Sequence, residues 1–216
     1  MNDSIHKVEN QVNVRFCDNC GAKLKAVSRS VSDKKSKKHV IFISHAEADQ
    51  KIVKVFCDML CKILPHPRYK LFCSSENGCI EFGKNNERVI HANLNCCDVM
   101  ICLLTNKSCE RPWVMYEIGF FLGRASKERA SKKYFVPISI RIGKKKILKK
   151  GLPYSKFKIC ECNEEQLITL MMQLYNIIFP NYWNGNKEKF EKSNACHVQF
   201  FIDELKRMEL KRRRKT

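Results

Sequence analysis

Apolar positions in the middle of the chain switch between two rhythms. The run HVIFISH, His39 to His45, is apolar almost throughout and reads as a buried strand. Ile52, Phe56, Met59, Leu60, Ile63 and Leu64 then recur at helical spacing until Pro65 ends the pattern. YKLFCSS (69–75) reads as a second strand, running into the glycine-containing loop ENGCIEFGKN (76–85). Ile90, Leu94 and Cys97 mark a second helix, and DVMICLLT (98–105) is a third strand, apolar throughout as a parallel strand buried on both faces is. NKSCERP (106–112) supplies cap candidates with Pro112 at a natural first helical position, so a helix is predicted from Trp113 to Ala125. YFVPISI (134–140) is a fourth strand, EEQLITLMMQLYNIIF (164–179) an amphipathic helix, and a last helix leads into a basic tail.

Strands alternating with helices predict an α/β fold with a parallel, doubly wound sheet flanked by helices. The pattern also divides the chain. Residues 1–38 form a polar N-terminal segment and linker, residues 39–180 the main domain, and residues 181–216 a C-terminal helix with its basic tail. In such a sheet, function gathers at the carboxyl ends of the strands. Those ends carry Ser44 and His45, then Ser74 to Lys84, then Thr105 and the helix that follows it. That helix begins PWVMYEIG, where Glu117 interrupts an apolar segment four residues after Trp113. Residues four apart share a helix face, so an indole stands beside a carboxylate on the rim where a site is expected.

Composition narrows the class. The chain has 216 residues, and its longest apolar run, Val99 to Leu104, is far shorter than the ~18 residues a membrane span needs. Thirteen cysteines, an odd number without framework spacing, fit a reducing compartment, and Cys57, Cys61 and Cys102 fall at apolar-periodic positions where a thiol packs as a small hydrophobe. Cytoplasmic placement without membrane association is the expectation. The net charge of +19 invites a nucleic-acid reading. Its distribution argues against one, because the densest basic runs (34–38, 144–150 and 206–215) lie in linker, loop and tail, with no stacking platform or basic recognition helix beside them.

Three segments together resemble the Toll/interleukin receptor (TIR) domains in their bacterial form: VIFISHAEAD, LFCSSENGCIEFGKN, and LLTNKSCERPWVMYEIG with its W-x-x-x-E signature. The resemblance runs from about His39 to Ile140. It implies a flavodoxin-like sheet and, for the enzymatic members, cleavage of NAD at the nicotinamide ribosyl bond with the glutamate matching Glu117 as the catalytic residue. It further implies that Trp113 walls the pocket, that Ser44 and His45 border the substrate on one rim, and that Glu81, Gly83 and Lys84 border it on the loop opposite, with Lys84 facing phosphate. The sequence departs from the common pattern at Arg111, where many members have serine, and at Ala46 and Glu47, where some NAD-cleaving members place basic residues.

One carboxylate is chemically sufficient for this reaction. Ordinary glycosidases need two, one of them to protonate the leaving oxygen. Nicotinamide in NAD is already a pyridinium and leaves neutral without a proton, so an anion able to stabilise ribosyl-cation charge is the main requirement. The resemblance accordingly implies an NAD glycohydrolase or cyclase giving ADP-ribose or a cyclic ADP-ribose-type signal in bacterial antiphage defence, active as a homo-oligomer and read by a downstream effector protein. Two other readings stay open: a non-catalytic TIR interaction module, and a nucleoside deoxyribosyltransferase-like enzyme on a similar sheet.

The pair CDNC, Cys17 and Cys20, followed by GAKL, looks like one knuckle of a zinc ribbon. A tetrahedral thiolate site needs four ligands. His6, the distant Cys160 and Cys162, or a matching pair from a second subunit are the candidates to complete it, against the reading of two ordinary thiols. If the knuckle binds zinc, purified protein contains metal that is lost when Cys17 and Cys20 both become serine. Metal analysis decides it: less than about a tenth of an equivalent per chain contradicts a structural thiolate site, while about one zinc per two chains indicates a shared one.

Overall fold

A computed structural model describes residues 38–64, 68–73, 85–127, 132–142, 147, 152–180 and 185–213. The chain separates into two units, residues 1–35 and 36–216, and the description below concerns the second.

Five strands form one parallel sheet: β1 (His39–Ser44), β2 (Tyr69–Cys73), β3 (Val99–Leu104), β4 (Tyr134–Ser139) and the short β5 (Cys160–Glu161). Their order is β2-β1-β3-β4-β5. That is the flavodoxin-like order, in which the chain reverses direction of travel across the sheet between β1 and β3. Residues of β1 pair in register with β3 from Ile41↔Val99 to Ser44↔Cys102. Four strands, β1 to β4, match the runs read from sequence. The extra strand β5 is two residues long, too short to leave a periodicity, and pairs Cys160 with Ile138 and Glu161 with Ser139.

Among the described residues, five α-helices cover the sheet: α1 (Gln50–Ile63), α2 (Asn86–Cys96), α3 (Pro112–Lys127), α4 (Glu164–Ile178) and α5 (Lys187–Arg213). Strand side chains alternate between the faces. Ile41 and Ile43 of β1 and Val99, Ile101 and Leu103 of β3 meet α1, α4 and α5 in one core. Phe42, Met100, Cys102 and Leu104 meet α2 and α3 in the other. The period of two therefore sends Ser44, two residues after Phe42, toward α3.

Local signals set the helix limits. Asn85 caps α2 by accepting from the Arg88 N–H at 3.0 Å, and Asn163 caps α4 by accepting from the Gln166 N–H at 3.0 Å. The last helix is part of the core. Its Phe201 is fully buried and packs edge-to-face on Phe56 of α1, with ring centroids 5.5 Å apart. Leu205 is the last buried residue of α5, whereas Leu210 is 56% exposed and the turns after it are basic.

Phe201→Ala is expected to cost about 3–5 kcal/mol, the usual effect of emptying a buried aromatic site, and to lower the melting temperature by roughly 10 °C. Removing Lys211 to Thr216 leaves melting nearly unchanged. Thermal unfolding of the two variants checks both, and equal loss in each contradicts the placement of the core boundary at Leu205.

Candidate active site

The buried stripe of α3 is Val114, Glu117, Ile118 and Phe121, the i, i+3, i+4, i+7 spacing of an amphipathic helix. Glu117 thus occupies a position that sequence rhythm assigns to an apolar side chain. It is 2% exposed. Its carboxylate is held from two directions: the Ser44 hydroxyl donates to Oε2 at 2.5 Å, and the Trp113 indole N–H donates to Oε1 at 2.9 Å. A buried carboxylate without such donors costs several kcal/mol. Ser44 ends β1 and the β3–α3 connection delivers Glu117, so the pair meets at the carboxyl ends of β1 and β3, where an open α/β sheet forms its crevice.

His45, next along the chain, is also buried. Its Nδ1 lies 3.2 Å from the Ile43 carbonyl, and its two ring nitrogens lie 4.0 and 3.9 Å from the Cys73 sulfur at the end of β2. Burial disfavours a charged imidazole here, but Cys73, the Ile43 carbonyl and the Glu117 carboxylate together outweigh it and raise the His45 pKa. Burial raises Glu117 from an ordinary 4.5 to about 7, with the Ser44 hydroxyl, His45 and the Trp113 indole working against that rise. Burial also pushes the thiol of Cys102, the β3 partner of Ser44, far up, so it stays protonated.

A second polar knot fixes the rim. The Thr105 hydroxyl donates to Asp49 Oδ2 at 2.6 Å. The Thr105 N–H donates to Ser108 Oγ at 2.7 Å, and the Ser108 hydroxyl donates to the Leu103 carbonyl at 2.7 Å. All three side chains are buried. Asp49 occupies the N-cap position of α1, yet its side chain makes no cap hydrogen bond and clasps the β3–α3 connection instead. The knot escaped sequence reading because its partners lie 56 residues apart.

The TIR domain family model matches residues 41–170. The chain belongs to the TIR-domain family. No curated protein matches it. Of the TIR site residues expected from the motifs, Ser44, His45, Trp113 and Glu117 are brought together, while Glu81, Gly83 and Lys84 lie outside the described residues, as do Cys17 and Cys20. Cys73 is the neighbour that sequence reading passed over. Its only signal was its place at the end of a strand. Among the described residues no group of three or more His, Cys, Asp or Glu is placed to hold a metal, and no helix is long and apolar enough to cross a membrane.

The raised Glu117 pKa has a stability consequence. A carboxyl whose folded pKa lies above its unfolded value contributes fully at pH below about 4.5, and its contribution is lost as pH rises through about 7. Relative to Glu117→Gln, the parent therefore loses stability between pH 5 and pH 8, by up to about 3 kcal/mol at ~1.4 kcal/mol per pH unit of displacement. Urea unfolding of both proteins at pH 5, 6, 7 and 8 measures this. Curves that stay parallel contradict the buried-carboxylate assignment.

Proposed function

We propose that this TIR domain cleaves NAD at the bond between ribose C1′ and the nicotinamide nitrogen. The observation that carries the reading is the buried Glu117 carboxylate fixed by Ser44 and Trp113 at the β1/β3 crevice. When the bond breaks, its electron pair leaves with nicotinamide, which departs neutral, and positive charge develops on the ribose. An ionised Glu117 beside that ribose stabilises the charge, and the low-dielectric surroundings strengthen the effect. Ser44 and Trp113 act as positioning residues that keep both oxygens aimed. Water then bonds to C1′ and gives up a proton to yield ADP-ribose. Attack by a nitrogen of the substrate's own adenine gives a cyclic product instead.

The perturbed pKa supports this role, since groups tuned toward neutrality collect at reactive sites. At pH 7 burial leaves Glu117 divided between its two protonation states. The pyridinium of bound NAD favours the ionised one. Assembly of copies for activity, an effector reading the product, and a place in bacterial antiphage defence complete the proposal, carried by family likeness. A second reading, a TIR interaction module without turnover, is favoured by one observation: both Glu117 oxygens already have donors and the residue is almost inaccessible.

The experiment is incubation of concentrated protein with NAD, with nicotinamide and all ADP-ribose-containing products resolved by chromatography. The parent releases nicotinamide, faster as pH rises through about 7. Glu117→Gln keeps its circular dichroism but loses on the order of a hundredfold or more in rate. Full turnover in the Gln variant overturns the catalytic assignment, and a silent parent at every concentration favours the interaction module.

A further inference from the structure

Beside the carboxylate, α3 presents a second stripe. Trp113, Tyr116 and Phe120 follow one another at helical spacing along its outer side, and Trp113 and Tyr116 are 43% and 41% exposed although both are large and aromatic. Successive rings are in contact. The Trp113 and Tyr116 centroids are 5.4 Å apart, and His91 of α2 lies 5.6 Å from Tyr116 and stacks on Phe120 at 5.1 Å with ring planes 13° apart. A 2.6 Å hydrogen bond between the Tyr116 hydroxyl and His91 Nε2 fixes two of these rings across the α2–α3 boundary. The row starts at the site itself, because its first member is the indole that donates to Glu117. Two arginines lie close to it along the chain: Arg88, one turn before His91 on α2, and Arg111, two residues before Trp113. Both are exposed, and among the described residues neither has an ion-pair partner.

We infer that this row is the platform for the adenosine half of the dinucleotide, with Arg88 and Arg111 serving the pyrophosphate that joins the two halves. The inference rests on the proposed NAD reaction and deepens it. A row of pre-ordered, half-exposed rings offers flat faces, and every nucleobase has a π-face to place on them. A ligand that is flat and aromatic at one end, anionic in the middle and cationic at the other has a group suited to each of the rings, the arginines and the carboxylate. Tyr116 and His91 add polar edges beside their faces, and Arg contributes cation–π contact as well as charge.

The test uses the full chain and two readouts. In calorimetric titration, AMP binds the parent, Tyr116→Phe retains binding, and Tyr116→Ala and His91→Ala each weaken it by on the order of tenfold, the usual effect of removing one stacking ring. In turnover, Tyr116→Ala raises KM for NAD by a similar factor with kcat unchanged, while cleavage of nicotinamide mononucleotide, which lacks the adenosine, is the same in parent and variant. Absence of AMP binding to the parent overturns the inference, as does an equal loss for NAD and the mononucleotide. A Tyr116→Ala variant with parental NAD kinetics but a changed sedimentation mass also overturns it and assigns the rings to contact between copies. AMP binding lost in Tyr116→Ala without any NAD cleavage by the parent supports the purine platform while the proposed reaction fails, so the two are separable.

Discussion

A carboxylate among hydrocarbon is the constraint around which this half of the molecule is arranged. Glu117 takes a place in the buried stripe of α3 between Val114 and Phe121, where any apolar residue of similar size packs at no electrostatic cost. It is tolerated because two donors reach it from separate elements, a hydroxyl from the end of β1 and an indole from the preceding helical turn. Removing either donor leaves a buried oxygen unpaired, so the three residues stand or fall as a group. The same confinement that makes the group expensive shifts its proton affinity toward neutrality.

The sheet supplies the frame for that arrangement. Ser44 and Cys102 are direct partners in the β1–β3 ladder, and both strands are covered on both faces by layers of helix. One face, filled by α1, α4 and α5, is almost wholly apolar. The other carries Glu117, Ser44 and the exposed aromatic stripe. Cys73, the neighbour of His45, belongs to the first face, so the site draws on the ends of strands from both layers.

Much of the fold was legible because its signals are periodic. The apolar run of β3 and the helical spacing in α1 and α4 lead to the observed elements within a few residues. Glu117 and Trp113 were legible for a different reason: a charged residue breaking a stripe is conspicuous once the helix is placed. What sequence concealed depends on contacts between distant residues. The Asp49–Thr105 hydrogen bond, the Tyr154 hydroxyl donating to the Cys109 carbonyl at 2.6 Å, and the approach of Cys73 to His45 join elements whose relative positions only the folded sheet defines. The burial of Phe201 and Leu205 was hidden by the charge around them, since α5 alternates core residues with many lysines and glutamates.

The knot of Thr105, Ser108 and Asp49 has a consequence for how this domain can vary. It fixes the connection between Leu104 and Pro112, and so the angular phase at which α3 begins. Each residue turns an α-helix by about 100°. A register shift of a single position in α3 would swing the carboxylate out of the crevice and bring Tyr116 or Ile118 in. Variation in side-chain identity along the connection is a matter of degree, whereas variation in its length is a matter of aim. Divergence of such a chain is therefore expected to proceed by substitution in this segment and by insertion elsewhere, the spacing from Thr105 to Glu117 behaving as a measured distance rather than a loop.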